Sequence, residues 1–146
     1  MQTGIHILMA LMIGVIAAVY LPMNSSVARH LGSPLTANIT FYGVALLTSI
    51  GLFALFGDPA TLDNIRQVPA WLYLTGFVSA FIVMAITFLI PKLGARQLVV
   101  LSIAGQILMA MAISHFGVLE SPKDPITLKK ILGAGLLVAG VAVSVN

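Results

Sequence analysis

The stretch that decides the fold is IHILMALMIGVIAAVYLPM, residues 5–23, followed directly by the polar NSSVARHLGSPLTANITF, residues 24–41. The first part contains no Asp, Glu, Lys or Arg. A helix crosses about 30 Å of hydrocarbon with roughly 20 apolar residues, because each residue adds about 1.5 Å. The pattern therefore predicts a membrane span that ends near Met23, then a polar turn, then a second span that begins near Ala37.

The composition of the whole chain agrees with this prediction. Of the 146 residues, 60% are hydrophobic and 8% are charged, whereas a soluble domain uses roughly 25% charged residues. The sequence therefore indicates an integral membrane protein. The first basic residue is Arg29, so the positive n-region of a signal peptide is missing and the first apolar run is predicted to be a retained span.

Five apolar segments approach or reach this length and are predicted as spans: residues 5–23, 37–56, 70–90, 98–113 and 129–145, of which the last two are short. Pro22, Pro34, Pro69 and Pro91 are expected at span ends, where a missing backbone N–H costs least. Pro91 and Gly94 predict a tight turn that makes the third and fourth spans antiparallel neighbours. We expect an all-α membrane protein in which residues 1–146 form one bundle of five helices.

The positive charges give little preference for one orientation. Five spans place the two termini on opposite sides of the membrane. The side of the N-terminus carries Arg66, Lys123, Lys129 and Lys130, and the other side carries Arg29, Lys92 and Arg96. Lys and Arg normally accumulate on the cytoplasmic side, so near-balance predicts insertion in both orientations. Two opposite copies would form an antiparallel homodimer of ten helices, with the geometry of an inverted repeat.

Neutral polar residues inside the spans are candidates for a substrate site. Gln106 lies near the middle of the fourth span, and Ser102 lies four residues earlier on the same helical face. A buried amide needs a partner, so Gln106 either lines a substrate cavity or joins two helices by a hydrogen bond. Asn38 either lines a cavity mouth or bonds free N–H groups near the start of its helix. Arg29 is either a site for an anionic group or a surface cation.

Two further observations from the sequence are the spacing of small residues in the fifth span and the absence of enzyme motifs. Gly135 and Ala139 have the spacing of a helix-packing face, and we expect the fifth span to pack across the dimer. Patterns for metal ligation, phosphate loops, nucleophile elbows and paired carboxylates are absent from the sequence. We expect no enzymatic activity, metal or cofactor. The basic residues are scattered, so nucleic acid is not an expected partner, and without cysteine there is no disulfide, thiolate metal site or cysteine nucleophile.

An ordered series of short motifs resembles the YdcZ-type family of inner-membrane exporters, within the drug/metabolite transporter superfamily. The series spans nearly the whole chain, and no single motif in it is specific. Its members are Asn24, Arg29, Gly32-Ser33-Pro34, Ala37, Phe41, Gly43, Pro69, Trp71, Gly76, Ala80-Phe81-Ile82-Val83, Pro91, Leu93-Gly94, Gly105-Gln106 and His115-Phe116-Gly117.

This resemblance implies five spans per chain, antiparallel pairing and a small-molecule substrate. It also implies that the spacing of Asn24 and Arg29 is a signature of the family, and Ser33 belongs to the Gly32-Ser33-Pro34 motif that follows them. In similar sequences an acid often stands directly before the His-Phe-Gly motif, but this chain has Ser114 there. The related small multidrug exporters carry a glutamate in their first span, and this first span has none. Proton coupling through either acid is therefore not expected.

Together these patterns predict a transporter of the bacterial inner membrane that works by alternating access as an antiparallel dimer. Its partner is a second copy or an oppositely oriented paralogue. The expected substrate-site residues are Gln106, Asn24, Arg29, Ser33, Asn38 and Ser102. Two alternatives remain open at this point: a dual-topology ion channel, and an accessory membrane subunit without a pathway of its own.

Overall fold

The computed structural model describes residues 2–145, and all regular structure in this range is helical. Met1 and Asn146, the ends of the predicted bundle, lie outside it. The helices are α1 (Gln2–Leu31), α2 (Pro34–Phe56), α3 (Leu74–Leu93), α4 (Ala95–Phe116) and α5 (Leu128–Val145), with two short 3-10 helices, Pro59–Gln67 and Ala70–Tyr73, between α2 and α3.

Five helices within the described range are long and apolar enough to cross a membrane. Most of their large hydrophobic side chains are exposed, for example Leu47 at 71% and Leu136 at 75%. Water cannot solvate such a surface favourably, whereas lipid tails can. The predicted all-α, five-helix membrane fold is therefore confirmed.

The polar stretch after Met23 is not a loop, which corrects the prediction from the sequence. Helix α1 continues to Leu31, and only Gly32 and Ser33 separate it from α2. At about 1.5 Å per residue, a helix of 30 residues is about 45 Å long, well beyond the hydrocarbon thickness. Asn24 and Arg29 are therefore held at fixed positions on a helix rather than in a mobile turn.

Four prolines are predicted at or near span ends, and two of them lie inside helices in the structure. Pro22 lies within α1, and Pro91 lies within α3, which continues to Leu93. A proline without an N–H leaves the carbonyl four residues earlier without its helical donor. For Pro91 that carbonyl belongs to Thr87, and the Ser25 hydroxyl of α1 lies within hydrogen-bond distance of it. Tertiary hydrogen bonding thus allows the helix to pass the proline.

The described chain divides into two compact units, and the division falls between Lys92 and Leu93 in the sequence. The first unit contains α1, α2 and α3. Gly32 ends α1 with a φ of 71°, and the Ser33 N–H donates to the Ala28 carbonyl at 3.1 Å. This is the Schellman arrangement, in which glycine takes the left-handed conformation most cheaply. It reverses the chain, so α1 and α2 pack as antiparallel neighbours.

The second unit contains α4 and α5, which also pack against each other. Arg96 Nη1 donates to the Ser144 carbonyl at 2.6 Å, and Gln97 Nε2 donates to the Val145 carbonyl at 3.1 Å. Side chains at the start of α4 therefore bond the last carbonyls of α5, which have no helical donor. The two helices run antiparallel. The predictions that all five helices form one bundle and that α3 and α4 are antiparallel neighbours stay predictions.

Candidate functional site

An open cleft of about 450 Å³ lies between α1 and α2. Residues from α1 at the spacing of one helical face line one side, and residues from the first half of α2 line the other. The lining residues are Tyr20, Met23, Asn24, Val27, Thr40, Phe41, Val44 and Ala45. Ala45 is the middle residue of α2, so the cleft reaches the centre of that helix.

Aromatic side chains form one wall of the cleft. The rings of Tyr20 and Phe41 stack with their centroids 6.1 Å apart, and Phe41 meets the Tyr42 ring edge-on at 5.1 Å. The Tyr42 hydroxyl is 2.6 Å from Ser79 Oγ on α3. These contacts connect α1, α2 and α3 beside the cleft, and they give it a rigid apolar face suited to ring-containing molecules.

Asn24 provides the polar group of the cleft, and α3 fixes its position. The residue is 7% exposed, and its Nδ2 donates to Thr87 Oγ1 at 2.8 Å. Thr87 Oγ1 in turn donates to the Val83 carbonyl at 2.8 Å. These bonds use the amide nitrogen of Asn24 and leave its carboxamide oxygen as the hydrogen-bond acceptor that a molecule in the cleft could reach.

The carbonyl of Thr87 is bonded through a second contact from α1. Ser25 is fully buried, and its hydroxyl lies 3.4 Å from this carbonyl. Pro91 has no N–H to bond the same oxygen, which lies four residues earlier in α3. The pair Asn24-Ser25 therefore bonds both polar groups of Thr87. Thr87 was not predicted as a site residue, although a threonine four residues before a proline in an apolar span is a usable signal.

Asn38 joins α2 to α3 rather than bonding the free N–H groups at the start of α2. Its Nδ2 donates to the Ala80 carbonyl at 3.1 Å. Its Oδ1 is buried and has no hydrogen-bond partner among residues 2–145. A buried acceptor without a donor is costly, so this oxygen is a position where a polar ligand group or a water molecule would be stabilised.

Arg29 and Ser33 lie at the end of the first unit where Gly32 reverses the chain, which we call the turn end. Arg29 is exposed and lines a second cavity together with Lys92. Ser33 caps α2, since its hydroxyl accepts from the Thr36 N–H at 3.4 Å. Within the first unit, Asn24 thus lines the cleft and bonds Thr87, whereas Thr87 itself lines the second cavity with Arg29.

The remaining predicted residues lie in the second unit. Gln106 on α4 is exposed and Ser102 is half-buried, and no hydrogen bond from the Gln106 amide to another residue of the described range is present. On α5, half-buried residues recur every three or four positions: Lys130, Ala134, Leu137, Val141 and Ser144. Gly135 and Ala139 lie off this stripe and are exposed, so they are free to contact another helix.

The lining of the cleft is mainly apolar, with a few polar side chains. Among the residues that line it, Asn24, Thr40 and Tyr20 are polar and none is charged at neutral pH. No group of metal-ligating side chains is present in the part of the chain that the structure describes. A volume of about 450 Å³ falls in the range of small-molecule sites, which are mainly apolar with a few placed polar groups.

Five membrane-length helices are the architecture of a multi-pass membrane protein, and an uncharged cleft lies between two of them. Residues 5–143 match the model of the family DMT_YdcZ, described as "Putative inner membrane exporter, YdcZ". The chain therefore belongs to the YdcZ family, as the series of motifs in the sequence predicts, and is a multi-pass protein of the inner membrane. No curated protein and no solved structure matches it.

Proposed function

We propose that the protein exports small, uncharged amphipathic molecules across the inner membrane, by alternating access within an antiparallel dimer. The observation that carries the proposal is the placement of Asn24. Its amide is buried and hydrogen-bonded to α3, yet it lines an apolar cleft between two membrane helices. Family membership supports export as the direction of transport.

The substrate class follows from the lining of the cleft. Stacked aromatic rings and aliphatic side chains favour a flat, apolar body. The free carboxamide oxygen of Asn24 favours one hydrogen-bond donor on that body. Because no lining residue carries a full charge, an ionic substrate would lose its hydration without gaining a counter-ion.

Pairing of two chains would complete the pathway. The cleft is open on one side, and a cleft that faces lipid cannot alternate between two aqueous compartments by itself. The near-balance of four against three basic residues favours two opposite orientations. The exposed Gly135 and Ala139 on α5 provide a close-packing surface for the second copy. Gln106, Ser102 and Asn38 are proposed to contribute further polar contacts along the pathway.

Flux through proteoliposomes tests this function. The purified protein is reconstituted, and uptake of tritium-labelled 4-acetamidophenol, a neutral aromatic molecule with hydrogen-bond donors, is measured by rapid filtration and compared with uptake by protein-free vesicles. A carrier predicts slow protein-dependent uptake that saturates with probe concentration and accelerates when unlabelled probe is preloaded on the opposite side. Non-saturating flux with ion conductance would indicate a channel instead, and no protein-dependent flux of the probe or of ions would indicate an accessory subunit.

A further inference from the structure

A second cavity, of about 310 Å³, lies at the turn end of the first unit. Its walls come from the last turns of α1 and α3 and the first turn of α2, with Arg29, Gly32, Pro34, Thr87, Phe88 and Lys92 among its lining residues. The cleft between α1 and α2 is lined by different residues. The two hollows are therefore separate, and the second one has a different chemistry.

Two cations line this cavity without a counter-ion. Arg29 and Lys92 form no salt bridge with any carboxylate of the described range. The two acids of the first unit, Asp58 and Asp63, follow α2 at its far end, and Asp58 there accepts from the Ala60 N–H. Two like charges around one hollow repel each other, and because Arg29 and Lys92 are both exposed, solvent screens this repulsion in part. An anion between them would remove it.

The local structure positions the Lys92 ammonium group and fixes the backbone of Arg29 beside the cavity. Lys92 Nζ lies 3.8 Å from the centroid of the Phe88 ring, a cation–π contact that positions the ammonium group and leaves its charge in place. Arg29 projects from an ordered helix instead of a loop. Gly32, with a φ of 71°, has open space where a side chain would start, so the backbone there leaves the cavity unobstructed.

A neighbouring helix end adds to the positive potential. Helix α2 begins at Pro34 in the cavity wall, and a helix N-terminus carries a partial positive charge. The last carbonyls of α1 and α3 carry partial negative charge, so one alternative role for Arg29 and Lys92 is to offset these helix ends. That role requires no ligand, and it is therefore distinguishable by experiment.

We propose that this cavity binds a phosphate group, with Arg29 as the bidentate donor and Lys92 as the second positive charge. A guanidinium fork matches the geometry of two phosphate oxygens, and an ammonium group adds a point charge. The volume of about 310 Å³ leaves room for part of the molecule to which the phosphate is attached. A membrane phospholipid headgroup and a phosphate-bearing solute share this chemistry. The site does not depend on the proposed transport through the cleft.

Thermal unfolding of the detergent-purified protein tests the site at constant ionic strength. The added ligands are short-chain dihexanoyl phosphatidylglycerol, the same diglyceride without phosphate, and inorganic phosphate. We expect the phosphate-bearing lipid to raise the melting temperature in a saturable way, and the diglyceride to have no effect. A saturable shift with inorganic phosphate as well would identify a site open to solutes. A shift with the lipid alone would identify a headgroup site. Either result supports the proposal.

The variants separate specific binding from general effects. Arg29→Gln and Lys92→Gln should each weaken the apparent affinity roughly tenfold or more, because each removes a charge-assisted contact. Arg66→Gln, which removes the third cation of the first unit at its other end, should bind as wild type does. Arg29→Lys should retain part of the affinity, and it keeps the test valid if Arg29→Gln does not fold. Equal shifts in wild type and both Gln variants, or no shift in wild type, would overturn the proposal and leave the two cations a helix-end role.

Discussion

At the scale of single residues, the site is organised around Thr87. Its hydroxyl accepts a hydrogen bond from Asn24. Its carbonyl has no helical donor, because Pro91 lacks an N–H, and the Ser25 hydroxyl lies within hydrogen-bond distance of it. Asn24 is a candidate site residue from its place in the family motif, and that role stays a prediction. Thr87 was not predicted: Pro91 marks its carbonyl as one without a helical donor, but the contact with Asn24 spans 63 positions of the chain. Sequence patterns report neighbours on one helix, whereas this contact depends on how two helices pack.

The hydrogen bond between Asn24 and Thr87 should be measurable as a coupling energy. Asn24→Ala, Thr87→Val and the double variant form a double-mutant cycle on the free energy of unfolding in mixed detergent. We expect a coupling of about 0.6–1.7 kcal/mol, the range for hydrogen bonds between membrane helices. Tyr42→Phe with Thr87→Val is the matched control, since Tyr42 bonds Ser79, and that pair should be additive within about 0.5 kcal/mol. Additivity of Asn24 and Thr87 would contradict the described contact.

At the scale of helices, the number of apolar segments could be predicted but the end of α1 could not. Five apolar runs predict five helices, because the hydrophobic effect acts on composition over a whole segment. The polar residues after Met23 and the proline at position 22 favour a loop by local preference. In the structure they form the last part of α1, because the buried Asn24, Ser25 and Ala28 pack inside the protein. Tertiary packing overrides the local preference here.

A cysteine scan of residues 23–31 tests this extension of α1. The natural chain contains no cysteine, so each single-cysteine variant reports only its own position to a water-soluble maleimide. We expect a helical pattern in which Ser25 and Ala28, which are buried, react slowly, while Arg29 and His30, which are exposed, react fast. Uniformly fast labelling across the nine positions would instead indicate the loop that the sequence alone favours.

At the scale of the whole molecule, the account depends on two copies in opposite orientations. Charge counting indicates dual topology, but it depends on seven basic residues and reports insertion rather than association. Packing between two chains depends on exposed surfaces such as the one that contains Gly135 and Ala139. The only sign of such a surface in the sequence is the spacing of its small residues. The fold of one chain could therefore be predicted further than its assembly.

Reporter fusions at the C-terminus test the dual topology. We expect wild-type fusions to alkaline phosphatase, which is active outside the cytoplasm, and to green fluorescent protein, which fluoresces inside it, to give signal in both cases. The double variant Arg29→Gln with Lys92→Gln leaves four basic residues on the side of the N-terminus and one on the side of the C-terminus. It should therefore place the C-terminus outside the cytoplasm. The double variant Arg66→Gln with Lys123→Gln leaves two basic residues on the side of the N-terminus and three on the other side. It should favour the opposite orientation, with the C-terminus in the cytoplasm. A wild-type signal on one side alone would point to a separate, oppositely oriented partner.

Transport by cleft variants in proteoliposomes tests the central claim most directly. Val44→Trp places an indole ring in the cleft between α1 and α2, and Leu46→Trp places the same ring about 200° around α2, at a residue that does not line the cleft. The native side chains at both positions are exposed. With both variants folded and reconstituted to equal density, Val44→Trp is predicted to reduce the saturable, protein-dependent uptake of 4-acetamidophenol by roughly tenfold or more, since a filled site excludes the substrate. Leu46→Trp is predicted to transport as wild type does. Equal uptake by wild type and both variants would contradict a pathway through this cleft.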